Sequence, residues 1–243
     1  MAKLDILAFG AHPDDVELSC SGTLLVEKLN GKKTGIIDLT RGELGTRGTV
    51  ETRNAEAATA SNILQLDARE NLDMRDGFFE NNEAHQLKVI QAIRHFQPEI
   101  VFCNAPEDRH PDHGRGSKLI EDAAFFSGLR KIETTRDGLL QEAWRPKYVF
   151  QYIQDRYLQP DFVIDITPVI EQKLAAIRAY GTQFHNPNLN EPQTYISTPE
   201  FIDSIVHRAS MFGKMIGVKY AEGFISKKMI GFKNFDHFVL QTT

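Results

Sequence analysis

Strands and helices alternate along this sequence, and the alternation predicts an α/β fold: a mostly parallel sheet with helical crossovers, followed by a less regular C-terminal part. Three observations carry that expectation. Apolar runs of strand length end abruptly in polar or glycine-containing turns, as at Leu4–Gly10, Thr34–Thr40 and Ile100–Cys103. Between them lie stretches of helical period, such as Leu87, Ile90, Ile93 and Phe96. The chain has 243 residues, which suits one large domain with a substantial core rather than two equal ones.

Taken in order, Leu4–Gly10 reads as the first strand and Ser19–Asn30 as a helix stopped by Asn30-Gly31. Thr34–Thr40 is the second strand. Val50–Leu66 is an alanine-rich helix with Thr49 as its N-cap, its small side chains suited to close packing on a sheet. Glu70–Met74 is a short strand, the helix beginning near Leu87 stops before Pro98, and Ile100–Cys103 is a buried strand leading through a polar loop to a helix over Gly114–Phe126. In the second half, Lys147–Ile153 and Asp161–Ile166 read as strands. Thr167-Pro168 and Thr198-Pro199 each open a helix with a cap and a proline at the first position. On the second of these, Ile202, Ile205, Ala209, Phe212 and Ile216 mark the inner face, and a short strand, Gly223–Ile225, and a hydrophobic tail follow. The polar segment 181–198 is long for a loop in a compact domain and is expected to be a lid. The expected organisation is a single domain over 1–243, with a core at 1–130 and a C-terminal part at 131–243 that carries the lid.

Composition excludes several classes of partner. With 28 basic and 33 acidic side chains the net charge is −5, so no basic surplus exists to neutralise a nucleic-acid backbone. No run approaches the roughly 20 apolar residues of a membrane span, and Met1–Phe9 lacks the hydrophobic stretch and cleavage site of a signal peptide. The two cysteines, Cys20 and Cys103, form no framework and are expected to be buried thiols in a reducing compartment. The expectation is a cytoplasmic protein without nucleic-acid or membrane partners.

Two segments carry chemistry. Ala11-His12-Pro13-Asp14-Asp15-Val16-Glu17 follows the first strand, and His110-Pro111-Asp112-His113-Gly114 follows the strand at 100–103. Both lie just past the C-terminal ends of expected parallel strands, the edge at which open α/β sheets bind ligands. Catalytic zinc sites use three protein ligands from histidine and carboxylate and keep a fourth position for water. Two histidines and one carboxylate leave the unit with a charge near +1, which favours ionising that water. His12 and Asp15 are three residues apart and point the same way in a turn, which offsets Asp14 and frees it for other work. His110 and His113 share the same spacing, so one of them can bind metal while the other stabilises charge beside it. Each segment alone also reads as a proline turn with acidic residues at a helix start. Their placement at equivalent strand ends is what argues for a shared site.

AHPDD after the first strand and HPDH a hundred residues later resemble the zinc-dependent deacetylases of the PIG-L/LmbE-like superfamily. The resemblance extends over most of the chain, through Thr40-Arg41-Gly42-Glu43, Arg53-Asn54-Ala55-Glu56-Ala57 and Arg75-Asp76-Gly77. Within that superfamily the sequence is most similar to the bacillithiol-biosynthesis deacetylases, which act on N-acetylglucosaminyl malate, while related members act on chitooligosaccharide-like sugars. The resemblance implies a Rossmann-like α/β fold with helices on both faces of the sheet, one zinc per subunit, with Fe²⁺ or another divalent metal acceptable to the same ligands, and a homo-oligomer, hexameric in close relatives. It implies His12, Asp15 and His113 as metal ligands, Asp14 as general base, His110 as oxyanion or proton-transfer residue with Asp112 orienting it, and Tyr195 of the lid as a further oxyanion contact. Glu43, Arg53 and Asp76 correspond to sugar-contacting positions, and Arg109, beside His110, is placed for the carboxylates of a malate group.

Other functions predict other features. A dinucleotide-binding module needs a GxGxxG turn after the first strand, where this chain has Phe9-Gly10-Ala11-His12-Pro13. A two-carboxylate glycosidase using Asp14 and Asp112 needs no metal and leaves the histidines idle. His85, His95, His207 and His237 belong to no motif and are expected to be surface or packing residues, while His185 lies in the lid, within reach of a substrate but with no motif to assign it a role.

Overall fold

In the computed structural model, which describes residues 3–232 and 234, the central strand β1 (Ile6–Gly10) is buried along its whole length. That is the expected state of a parallel strand covered on both faces. It pairs in parallel with β2 (Thr34–Thr40) on one side and β4 (Ile100–Cys103) on the other. β3 (Ala68–Met74) extends the sheet beyond β2, and β7 (Tyr148–Tyr152) extends it beyond β4, both in parallel. Two more strands, β8 (Phe162–Asp165) and β9 (Ala221–Ser226), complete seven in the order β3-β2-β1-β4-β7-β9-β8. A two-stranded hairpin, β5 (Thr135–Arg136) and β6 (Leu139–Leu140), stands apart.

Alternate residues of each strand enter opposite faces of the sheet, so two apolar layers form. Ile6, Ala8, Ile36 and Phe102 enter one layer with Cys20, Leu24 and Ala60. Leu7, Phe9, Ile37, Val101 and Cys103 enter the other with Ile90, Ile93 and Leu119. The first layer is closed by α2 (Ser21–Leu29), α3 (Val50–Leu64) and α6 (Ile170–Arg178), and the second by α4 (Glu83–Phe96) and α5 (Pro111–Phe126). Helices thus cover both faces, as the family resemblance implies. Both cysteines are buried and unpaired.

Several boundaries differ from the sequence reading for identifiable reasons. The helix expected over Ser19–Asn30 starts earlier and is broken at Cys20 into α1 (Asp15–Ser19) and α2. The break is held from a distance. Lys173 Nζ donates to the carbonyls of Glu17 and Leu18 at the end of α1, and the Glu222 carboxylate accepts from the Gly22 and Thr23 amides at the start of α2. Lys173 and Glu222 also pair with each other at 2.7 Å. The helix expected from Gly114 begins at Pro111 with His110 as its N-cap. β9 lies antiparallel to both neighbours, because two helices in series, α6 and α7 (Pro199–Ile216), separate it from β8 where a parallel crossover has one. The segment 181–198 contains a 3₁₀ turn, Tyr195–Ser197, under a Thr194 cap. Much of the expected hydrophobic tail, and His237, lie outside the described residues. Among those residues no helix is long and apolar enough to cross a membrane.

Behind α1 lies a buried polar cluster. Arg69 on β3 donates to Glu17 Oε1 at 2.6 Å, to both oxygens of Asp38 at 2.9 and 3.0 Å, and to the Tyr180 hydroxyl. It ties the first turn after β1 to the middle of β2.

Candidate active site

The chain leaves β1 toward β2 and β3 on one side, and leaves β4 toward β7 on the other. The C-terminal ends of β1 and β4 therefore face the crevice where the winding reverses. His12–Asp15 leaves the end of β1, and the loop through Asp108–His110 leaves the end of β4. Both border one cavity of about 400 Å³.

Three imidazoles meet there. The ring centroids of His12 and His110 are 4.7 Å apart, those of His110 and His113 5.3 Å, and those of His12 and His113 5.8 Å. One nitrogen from each ring lies within 4.8 Å of the other two, and one donor atom each from His12, Asp76 and Asp112 form a second such group. Asp15 joins the group: its Oδ1 is 3.1 Å from His113 Nε2 and its Oδ2 is 3.6 Å from His12 Nδ1. Neutral donors hold that carboxylate in place. Asn104 Nδ2 and the His12 amide bond Oδ2, and Gln154 Nε2 bonds Oδ1. His113 Nδ1 is paired with Asp108 at 2.6 Å, which turns Nε2 toward Asp15. A histidine oriented by an outer carboxylate is the usual surrounding of a metal ligand.

The electrostatics agree with a cation site. Burial opposes charge on His12, but Asp112, Asp15 and Asp76 outweigh it and raise its pKa. Burial likewise opposes charge on His113, and Asp15 and Asp108 outweigh it, taking it to about 9. Burial pushes the Asp15 carboxyl up, but His113 and His12 hold it well below the usual carboxylate range. The pocket draws positive charge onto its imidazoles, and its donors are two histidines with an oriented carboxylate. That set fits a divalent metal with nitrogen and oxygen ligands.

Asp14 is set apart from this group by its backbone. Its φ of 119° places it in the left-handed region, an uncommon and strained conformation for a residue with a side chain. Burial pushes its carboxyl up to about 7, against the Arg53 guanidinium, which favours the ionised form. Arg53 Nη2 bonds Asp14 Oδ2 at 3.2 Å and the Pro13 carbonyl, and Nη1 bonds the Gly42 carbonyl. A Cβ at Gly42, whose φ is +64°, would collide with that guanidinium, so glycine is needed there.

His110 has a different character. The Asp112 amide donates to its Nδ1 at 3.3 Å, so the ring proton of the neutral form is on Nε2. Burial lowers its pKa, and the charges of His12 and His113 add to the effect. A neutral imidazole with a free Nε2–H is a hydrogen-bond donor.

The cavity wall includes His12, Asp14, Asp15, Arg53, Asp76, Arg109, His110 and His113. Three residues expected at the site are placed otherwise. The Asp112 carboxylate faces His12 Nε2 at 3.4 Å, the Gly77 amide and Arg115, while only its amide touches His110. The reason is helical geometry: an amide at the second position points back at the N-cap. Glu43 is exposed and its Oε1 accepts from the Asp76 amide, so it fixes the turn that presents Asp76. Tyr195 is 59% exposed, its hydroxyl is 3.3 Å from an oxygen of Asp155, and Arg109 stacks on its ring.

Sequence reasoning passed over Asn104, Asp108 and Gln154, which orient Asp15 and His113, and Arg208 on the wall. Asn104 and Asp108 lie in the polar loop after β4 and were legible by position. Gln154, beyond β7, carried no local signal. If Asp108 orients a metal ligand, Asp108→Ala is expected to weaken metal binding about 10–100-fold with the fold intact, as titration with a competing chelator will measure. Unchanged affinity would assign Asp108 to loop structure alone.

The PIG-L family model, described as GlcNAc-PI de-N-acetylase, matches residues 7–124. Diacetylchitobiose deacetylase from Thermococcus kodakarensis is 28% identical over 229 residues, spanning 90% of this chain and 81% of that protein. The crystal structure of the conserved protein TT1542 from Thermus thermophilus superimposes with a TM-score of 0.84 at 38% identity, covering 94% of this chain and 97% of that one. 4-Oxalmesaconate hydratase from Pseudomonas putida is 24% identical over 194 residues, 74% of each chain.

Proposed function

This chain belongs to the PIG-L/LmbE-like deacetylase superfamily, and from that premise we propose that it hydrolyses the N-acetyl group of a small N-acetylglucosaminyl conjugate, releasing acetate and a free amine. The observation that carries the reading is the convergence of His12, Asp15 and His113 from two strand ends onto one cavity that also holds a buried, strained Asp14.

In this reading His12, Asp15 and His113 hold a divalent metal, zinc by preference, with Fe²⁺ or Co²⁺ able to use the same donors. When bound, the metal supplies Lewis acidity, which acidifies water and polarises the acetamide carbonyl. Asp14 takes the proton from the attacking water as the water oxygen bonds to the carbonyl carbon. Its pKa, near the working range, suits general-base work. Arg53 fixes the Asp14 carboxylate and balances its charge. The Nε2–H of His110 donates to the oxyanion of the tetrahedral intermediate, the kind of contact worth about 10²–10³ in rate. The C–N bond then breaks, and protonated Asp14 returns its proton to the leaving amine.

Two substrates are carried forward: diacetylchitobiose, for which a 28% identical relative is named, and N-acetylglucosaminyl malate, which the sequence resemblance implies. The test compares both with N-acetylglucosamine, following acetate and free amine, with metal analysis of the same sample. Acetate release that chelation abolishes and zinc restores is the expected outcome. Activity indifferent to chelation, or water addition to an unsaturated acid without any deacetylation, would defeat the proposal.

A further inference from the structure

Two charged side chains that do not border the cavity grip the turn that does. Lys173 on α6 is 1% exposed and Glu222 on β9 is 4% exposed, and residues of these types are buried so deeply only when paired. All three donors of the Lys173 ammonium are used. Two go to the carbonyls of Glu17 at 2.9 Å and Leu18 at 3.1 Å, and the third meets Glu222 Oε1 at 2.7 Å. The Glu222 carboxylate is as fully occupied. Its Oε1 also accepts from the Gly22 amide at 3.0 Å, and its Oε2 accepts from the Thr23 amide at 2.6 Å and the Thr23 hydroxyl at 2.7 Å. A Cβ at Gly22 would lie 2.8 Å from Glu222 Oε1, so glycine is what admits the carboxylate.

These contacts close the two helix ends that meet at Cys20. The ammonium sits on the carbonyl end of α1 and the carboxylate on the amide end of α2, each the favourable sign for that terminus. α1 depends on outside help. It has five residues and no side-chain bond at its N-cap, and a helix so short does not hold by itself. Yet it begins at Asp15, and the Leu18 amide bonds the Asp14 carbonyl at 2.9 Å. The direction of α1 therefore sets where Asp14 and Asp15 stand relative to His113, which arrives from another strand end.

Stability alone is a poor reason for such a pair. Removing two charges from water costs what their attraction need not return, and apolar residues of similar volume are often as stabilising in the same space. Apolar side chains cannot, however, bond the Glu17 and Leu18 carbonyls on one side of the break and the Gly22 and Thr23 amides on the other.

We infer that Lys173 and Glu222 are positioning residues: the ion pair fixes the angle between α1 and α2, and thereby holds Asp15 at the metal and Asp14 beside it. The inference rests on the metal-dependent deacetylase reading and extends it to two residues outside the cavity. It also gives the C-terminal part, through α6 and β9, a part in building the site.

The test compares the wild type with Lys173→Met, Glu222→Gln, the double variant Lys173→Met/Glu222→Gln and Arg94→Met. Each is measured by thermal melting of the metal-free protein and by zinc affinity against a competing chelator. Arg94 is the control. It is buried on α4 and bonds only the carbonyls of Ser127, Leu129 and Ile132 and the Thr134 hydroxyl, so its loss loosens the fold away from the metal-binding turn. Each single change at the pair strands the opposite charge and is expected to lower both Tm and zinc affinity. The double variant strands none. Its Tm should return most of the way to the wild-type value, while zinc affinity stays about 10–100-fold weaker because α1 is no longer held. Arg94→Met, or Arg94→Lys if that variant does not fold, should lower Tm and leave zinc affinity unchanged. Acetate release by the zinc-saturated proteins adds a second readout: in the double variant kcat should fall by up to about 10²-fold with KM little changed. Wild-type zinc affinity in the folded double variant, or an equal loss in the Arg94 control, would overturn the inference. So would a double variant that does not fold, because the pair would then serve the fold itself. If the single variants do not fold, the double variant decides. Should the wild type release no acetate from any sugar, only the deacetylase reading falls, and the zinc affinities still decide the role of the pair.

Discussion

Asp14→Asn is expected to lower deacetylation by about 10²–10⁴-fold while the protein keeps its metal. Asparagine has the same shape and still accepts from Arg53, so the cavity should be preserved, but it cannot take a proton from water. Metal analysis beside steady-state kinetics checks both halves. Loss of metal in this variant would make Asp14 a ligand and reverse the assignment of roles. The metal-free protein offers a second measurement, because there the Asp14 carboxyl should titrate at about 7, raised by burial against the pull of Arg53. Carboxyl NMR of the metal-free chain reports this directly. Arg53→Gln removes the cation that favours the carboxylate, so the titration moves to higher pH. The sign for stability follows from linkage. A carboxyl whose folded pKa exceeds its unfolded value of about 4 contributes stability below that value and loses it as pH rises through the folded pKa. The metal-free fold is thus weakened by Asp14 ionisation near neutral pH, and a cation added to the site offsets that cost.

The second large effect lies behind the site. Arg69→Met should destabilise the protein by about 3–5 kcal/mol, with Tm falling on the order of 10 °C. Arg69 is the cation shared by Glu17 and Asp38, both almost wholly buried. Its removal leaves two carboxylates without a counter-charge in the core. Burial already holds the Asp38 pKa above its ordinary value, and Arg69 opposes that rise. Without Arg69 the carboxyl should titrate higher still. Asp38 then favours the fold in its protonated form, and this contribution is lost as pH rises through its folded pKa. The variant should therefore be less impaired at pH 5 than at pH 8. Denaturant melts at the two values decide the point, and an equal deficit at both would mean that lost packing rather than stranded charge is responsible. Because Glu17 belongs to the helix that carries Asp15, a measurable drop in metal affinity is expected in the same variant.

The alternation of apolar runs and helical periods made the parallel half of the sheet legible, since β1 and β4 read as apolar runs and β2 as a largely apolar run interrupted by Asp38. The antiparallel pairing of β9 was not legible. Its direction follows from the two helices in series, α6 and α7, that lie between it and β8. The break at Cys20 was hidden for a similar reason, because the groups that stabilise it, Lys173 and Glu222, are more than 150 residues away.

At the site, the residue types and their strand-end positions were written in the chain. His12, Asp14, Asp15, His110 and His113 stand out because side chains of those types suit proton transfer and metal ligation, and because parallel strands deliver their loops to one edge. What only the folded chain decides is the division of labour among them. The left-handed backbone at Asp14, the amide that sets the His110 tautomer, and the turn of Asp112 toward His12 all depend on contacts between distant segments. A one-dimensional pattern specifies which groups are available. Their charges, protonation and orientation are set by burial and by neighbours that meet only in three dimensions.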